Sequence, residues 1–208
     1  MKIKICGLKE VEHAVRAAEL GADFIGFIFA ESRRRVSPEQ AQRIIRELPA
    51  EVRKVGVFVD ENHAVINDIA SFCGLDMVQV HGQETPEECR QITCPVIKAV
   101  RVKDAESLQM MGPYRDSVEM FLLDTYVEGA SGGTGKTFDW MLARQASYYG
   151  KVLLAGGLDA NNVRTAAAAA RPYGVDVSSG VETGGVKDLA KIAEFITQVR
   201  GKEDVSTT

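Results

Sequence analysis

A cysteine, an aspartate, two small-residue turns and a run of arginines stand at the ends of short apolar segments, where they could do chemistry together. Cys6 closes the run KIKIC, and Gly7 behind it lets the backbone turn sharply and leaves the thiol at the strand end. There it could act as a base or nucleophile, provided that positive charge favours the thiolate, because a free thiol titrates near about pKa 8.5. Lys4 shares its strand face. The competing reading is a small buried hydrophobe, the commonest fate of a free cysteine. Asp124 closes MFLL, where a low dielectric could raise a carboxyl pKa enough to make it a proton donor. A loop carboxylate accepting from nearby amides is equally open. Gly156-Gly157 and Ser178-Ser179-Gly180 follow two further apolar runs, and turns of this kind bind phosphate through backbone amides. Arg33-Arg34-Arg35 offers a guanidinium fork for a bidentate carboxylate, or a solvated charged loop. His81 directly follows DMVQV and lines the same rim or holds a structural hydrogen bond.

The elements that must position these groups are eight β-branched or apolar runs: residues 2 to 6, 23 to 29, 53 to 59, 76 to 80, 96 to 100, 119 to 124, 151 to 155 and 175 to 179. Stretches of helical periodicity separate them, which is the pattern of repeated parallel βα units. Eight similar units of about 26 residues favour closure into a single-domain (β/α)8 TIM barrel over an open doubly wound sheet, although the chain is near the short end for that fold. In such barrels active sites gather at the C-terminal ends of the strands, where all of the residues above fall. The first helix is expected over residues 9 to 20, with Val11, Ala14, Val15 and Ala18 on one stripe and Gly21 as its stop. Ser37-Pro38-Glu39 and Thr85-Pro86-Glu87 each read as cap, first helical residue and first-turn acid. Asp159 is expected to cap a helix that runs through residues 166 to 170 to Pro172, and the last helix to span residues 187 to 199. The barrel should occupy residues 1 to 200, and residues 201 to 208 a frayed tail.

Composition narrows the function. With 208 residues, 45% of them hydrophobic and 26% charged, one globular core needs neither disulfides nor a metal. A net charge of −4 gives no long-range pull toward nucleic acid or anionic lipid, so a small-molecule ligand is expected. Four cysteines without an export segment predict free thiols in a cytoplasmic protein, and no apolar run approaches the roughly 20 residues of a membrane helix. Cys73, Cys89 and Cys94 read as packing residues, and Cys89, Cys94 and His81 make a poor zinc set in spacing and number, so no metal is expected. His13 and His63 fall on helices and read as surface residues. ASGGTGKT at residues 130 to 137 fits a relaxed phosphate-loop pattern, yet several residues separate it from Asp124 and no second acidic strand end supplies a magnesium ligand. A glycine-rich mobile loop over a barrel mouth accounts for it better.

Taken together, KICG at 4 to 7, GADFIGFIF at 21 to 29, SRRRVSPEQA at 32 to 41, VGVFV at 55 to 59, VQVHG at 78 to 82, LLDT at 122 to 125, GGTGKTFDW at 132 to 140, LAGGL at 154 to 158 and VDVSSGVE at 175 to 182 resemble the phosphoribosylanthranilate isomerase family. The resemblance spans nearly the whole chain. It implies Cys6 as general base, Asp124 as general acid and Arg34 on the anthranilate carboxylate, with His81 as a further substrate contact. It also implies a phosphate site in the loops containing Gly156, Gly157, Asp176, Ser178, Ser179 and Gly180. Arg35 departs from the family pattern, where an aromatic residue is common, so Arg33 or Arg35 could share the carboxylate role. The implied reaction is an Amadori rearrangement in tryptophan biosynthesis, without cofactor, in a monomer or homodimer. Other phosphosugar barrels are the nearest rivals: indole-glycerol-phosphate synthase usually needs a catalytic lysine, and ribulose-phosphate epimerase a metal. A barrel that binds a phosphorylated metabolite without catalysis would not need Cys6 and Asp124.

Overall fold

A computed structural model describes residues 1–124 and 140–201 of the chain. Eight parallel strands close into a barrel in simple sequential order: β1 (Lys2–Cys6), β2 (Phe24–Ile28), β3 (Arg53–Phe58), β4 (Met77–Val80), β5 (Val96–Arg101), β6 (Met120–Asp124), β7 (Val152–Ala155) and β8 (Gly174–Val177). Closure is made by β1 against β8, with Lys4 opposite Asp176 and Ile5 opposite Val177. Among the described residues, seven α-helices stand between or after the strands: α1 (Val11–Glu19), α2 (Pro38–Arg46), α3 (His63–Cys73), α4 (Pro86–Arg90), α5 (Trp140–Ala146), α6 (Val163–Ala170) and α7 (Leu189–Arg200).

Strand alternation sorts the side chains into two cores. Ile3, Ile5, Val78, Val80, Phe121, Leu123, Leu154 and Val175 face the helices and join the outer core. Phe24, Val55, Met77, Ile97, Ala99, Met120, Leu122, Leu153 and Ala155 fill the barrel interior. By the same parity Cys6, Asp124, Asp176 and Ser178 point inward, Cys6 and Asp124 at the C-terminal ends of their strands, Ser178 just past the end of β8 and Asp176 within it. Barrel closure thus brings together residues up to 172 positions apart.

The two Pro-started helices form as their sequences predict. The Ser37 hydroxyl accepts from Gln40 N, and Thr85 and Glu88 complete a reciprocal capping box. Other expectations are corrected. In α1 the buried stripe is Ala14, Ala17 and Ala18, whereas Val11 is exposed, because the helix begins at Val11 and its first turn lies at the rim. Asp159 makes a turn, its carboxylate accepting from Asn161 and Asn162 N, and α6 begins only after Asn162. Residue 187 is not helical: a two-stranded hairpin of β9 (Glu182–Thr183) and β10 (Val186–Lys187) intervenes, and Asp188 caps α7 through Ala190 and Lys191 N. Between β5 and β6 the chain forms a 3₁₀-helix, Glu106–Tyr114, in which Gly112 and Pro113 disfavour an α-helix. Cys73 and Cys89 are buried in the outer core, where burial pushes each thiol up to about 11. The glycine-rich segment at 130 to 137 and the expected frayed end from 202 onward lie outside the described residues.

Candidate active site

Cys6 is buried at the end of β1, and its surroundings explain the spacing of β1 and β2. Its register partner is Gly26, and a Cβ added there would stand 2.8 Å from Cys6 Sγ and 3.2 Å from Lys4 Nζ. The glycine leaves the volume in which thiol and ammonium sit. Lys4 is wholly buried and donates to Asp176 Oδ1 at 2.8 Å. Burial opposes its charge, but Asp176 and then Cys6 outweigh this and hold Lys4 above the ordinary lysine range. Burial likewise pushes the Cys6 thiol up, with Lys4 opposing, so the resting group is a thiol that becomes a strong base when ionised. Ser178 Oγ donates to the Cys6 carbonyl at 3.1 Å and ties β8 to this strand end.

Asp124 ends β6 with His81 Nε2 at 3.3 Å from its Oδ2, and both side chains remain partly open to solvent. His81 Nδ1 lies 3.3 Å from Gln79 Nε2. The loop carrying His81 is held from below by an ion pair that the sequence did not point to. Buried Lys98 donates to Glu84 Oε2 and to the Gly82 carbonyl, while Glu84 accepts from Gly82 N and Asp60 N. Gly82 has no room for a side chain, since a Cβ would meet Asp60 Oδ1 at 2.1 Å.

Arg34 lies against Gly7, its Cδ 2.7 Å from the position of a Cβ there. Its Nε and Nη2 donate to the two oxygens of Glu182 at 2.6 and 2.9 Å. Glu182 also accepts from Arg33 Nη2 at 2.8 Å and from Lys187 Nζ at 2.9 Å. Burial would raise the Glu182 carboxyl, but hydrogen bonds from Arg34 and Lys187 dominate and hold it down to about 2. Three cations thus surround one anion. One edge of the Arg34 guanidinium is already bidentate to protein, and an incoming carboxylate would have to use the remaining donors of its five N–H groups. Arg35 is exposed and Arg33 largely so, whereas the Arg34 side chain is mostly covered, which favours Arg34 as the anchor.

Past β7, Gly156 and Gly157 take φ values of +84° and +66°, a conformation that favours glycine. Gly180 packs so closely on the loop after β7 that a Cβ would lie 1.9 Å from the Leu158 carbonyl oxygen. The two turns therefore touch, with Asn162 Nδ2 donating to the Gly157 carbonyl to close the first of them. Ser179 and Gly157 are exposed and Gly180 half-buried at this rim. No cluster of three or more metal-ligating side chains occurs among the described residues.

Residues 3–198 of the chain match the N-(5'-phosphoribosyl)anthranilate (PRA) isomerase family model. The chain belongs to this family. It is 49% identical over 209 residues to the N-(5'-phosphoribosyl)anthranilate isomerase of Pelobacter propionicus, spanning 100% of this chain and 99% of that one. The crystal structure of phosphoribosyl anthranilate isomerase from Thermotoga maritima is 44% identical with a TM-score of 0.89, over 97% of this chain and 99% of that one. A crystal structure of a phosphoribosyl anthranilate isomerase in complex with reduced 1-(o-carboxyphenylamino)-1-deoxyribulose 5-phosphate is 42% identical with a TM-score of 0.86 and the same coverages.

Within the isomerase barrel, the sequence-derived site residues fall at or near the C-terminal rim in four groups: Cys6 with Asp176 and Ser178, Asp124 with His81, Gly156-Gly157 against Ser179-Gly180, and Arg34 with Glu182, which Lys187 links to Ser178. The sequence reading passed over Glu182, Lys187 and Gln79. Gln79 carried a usable signal, a polar residue at an inward strand position between Met77 and His81. Glu182 and Lys187 carried none, since a short hairpin after β8 leaves no periodicity to read.

Proposed function

We propose that this isomerase converts N-(5'-phosphoribosyl)anthranilate to 1-(2-carboxyphenylamino)-1-deoxyribulose 5-phosphate by an Amadori rearrangement, with Asp124 as general acid and Cys6 as general base. The observation that carries the reading is the inward placement of both side chains at the C-terminal ends of β1 and β6 of one closed barrel. Asp124 protonates the furanose ring oxygen, and the ring opens to a protonated Schiff base. Cys6 takes the proton from C2, giving an enolamine that tautomerises to the ketone. The cationic Schiff base adds to Lys4 and Lys187 in favouring the thiolate at the moment it is needed, which offsets the burial that keeps the resting thiol protonated. Each proton transfer contributes about 10² to 10⁴ in rate, and positioning supplies the rest.

Arg34 receives the anthranilate carboxylate on the guanidinium edge that Glu182 leaves, and His81 contacts the ring-opening end beside Asp124. The phosphate sits over the touching turns of Gly156-Gly157 and Ser178-Ser179-Gly180, with Asp176 acting from beneath through Lys4. Tryptophan biosynthesis in the cytoplasm is the setting this chemistry fits. The test is turnover of phosphoribosylanthranilate generated in place, followed by loss of its fluorescence. Saturable turnover without added metal or cofactor is expected. Failure to turn it over, with turnover of another sugar phosphate instead, would overturn the assignment.

A further inference from the structure

Gln79 is a primary amide with 2% exposure inside the barrel, and the sheet gives it nothing polar to bond. Its register partners are Val57 on β3 and Ile97 on β5, both apolar. Met77, the preceding inward residue of β4, belongs to the barrel core. An aliphatic side chain would fill this position without desolvating an amide. The Nε2 group nevertheless has a partner, His81 Nδ1 at 3.3 Å, while the carbonyl oxygen Oε1 is buried with none among the described residues. Beyond His81 the series continues through Nε2 to Asp124 Oδ2, again at 3.3 Å.

We propose that Gln79 is a positioning residue whose amide sets the tautomer of His81 and, through it, the hydrogen bond made to Asp124. The proposal rests on Asp124 being the general acid. An amide nitrogen only donates, so Nδ1 facing it must hold a lone pair, and the neutral ring then carries its proton on Nε2. That proton is directed at Asp124, and it stabilises the carboxylate left after the acid has given up its proton. Rotating the amide half a turn about its last torsion would present Oε1 to Nδ1. The ring would then carry its proton on Nδ1 and accept on Nε2 from a protonated Asp124. The carbonyl oxygen, without a partner among the described residues, is the group this second arrangement requires. One amide can therefore serve both states of the acid without moving the imidazole.

Gln79→Met keeps the side-chain length and removes the amide, and Gln79→Glu replaces it with a group that in its ionised form only accepts. With only three histidines in the chain, the ring nitrogens of His81 can be followed by ¹⁵N NMR. In the parent protein at neutral pH the Nε2–H form of His81 should dominate. Gln79→Met should give a mixture of tautomers and lower kcat about tenfold with KM within about twofold, and Gln79→Glu should drive His81 to carry a proton on Nδ1. Unchanged His81 signals in Gln79→Met would overturn the proposal, as would altered signals with parent kcat. If Gln79→Met does not fold, the parent spectrum decides together with Gln79→Glu: absence of a dominant Nε2–H form, or no change on introducing Glu, overturns it. Failure of the acid assignment is read separately, from full activity in Asp124→Asn, which leaves the tautomer result standing.

Discussion

Gly26→Ala adds a single methyl group to β2, and its consequence can be worked out from the geometry around Cys6. Gly26 lies within regular strand, so alanine meets no backbone strain. The added Cβ would stand 2.8 Å from Cys6 Sγ, 3.1 Å from Cys6 Cα and 3.2 Å from Lys4 Nζ. Non-bonded heavy atoms prefer separations of about 3.5 to 4 Å, so the thiol must retreat by roughly 0.7 to 1.2 Å. Overpacking of this size in a filled core costs about 1 to 3 kcal/mol. A misplacement near 1 Å at a reacting group costs on the order of 10² in rate. We therefore expect Gly26→Ala to fold, to lose about 1 to 3 kcal/mol in urea unfolding, and to show kcat reduced by about 10 to 10² with KM within about threefold. In a Cys6→Ala background, where Sγ is absent, the stability cost of Gly26→Ala should shrink, a coupling that a double-mutant cycle isolates. Parent kcat in a folded Gly26→Ala protein, or equal costs in the two backgrounds, would refute the reasoning that Gly26 exists to house the thiol.

Three further outcomes follow from the charges around the site. Because the base must be ionised and the acid protonated, kcat/KM should be bell-shaped, and because burial raises the Cys6 thiol its alkaline limb should fall only above about 8.5, the ordinary thiol value; an alkaline fall centred below about pH 8 would contradict this. The Glu182 carboxyl is held down to about 2 in the folded chain, so the stability it contributes is complete above about pH 4.5 and lost as pH falls toward 2. The stability difference between parent and Glu182→Gln, measured by urea unfolding across that range, should vanish at the acid end; a constant difference would show that the ionised carboxylate is not its source. Arg34→Ala should lower kcat/KM by about 10 to 10², with little loss against an analogue lacking the carboxylate, and an equal loss on both would assign the anchor elsewhere.

The barrel was legible because its period-two strands and capped helices are local properties. KIKIC gives the inward direction of Lys4 and Cys6 directly, and Ser37-Pro38 and Thr85-Pro86 mark helix starts through hydrogen bonds made within three residues. Asp159 misled because an aspartate that closes a turn and one that caps a helix have the same sequence context, and here Asn162 lies between the turn and the helix. The charge balance of the site was not legible. Lys4 meets Asp176 across 172 residues and Arg34 meets Glu182 across 148, pairings fixed only when β8 closes on β1 and the hairpin folds over the rim. From sequence the arginine run offers a fork for a bidentate carboxylate or a solvated loop, and neither reading contains the edge of Arg34 that belongs to Glu182. Gly26 was equally hidden, since a glycine inside a strand does not say which neighbour needs its space.

Steady-state turnover of phosphoribosylanthranilate by Cys6→Ala and Asp124→Ala, each checked for native folding, tests the acid–base assignment most directly. Each variant should show kcat lower by about 10² or more with KM little changed, because each removes a proton transfer and leaves both anionic anchors in place. Near-parent kcat in either folded variant would contradict the account.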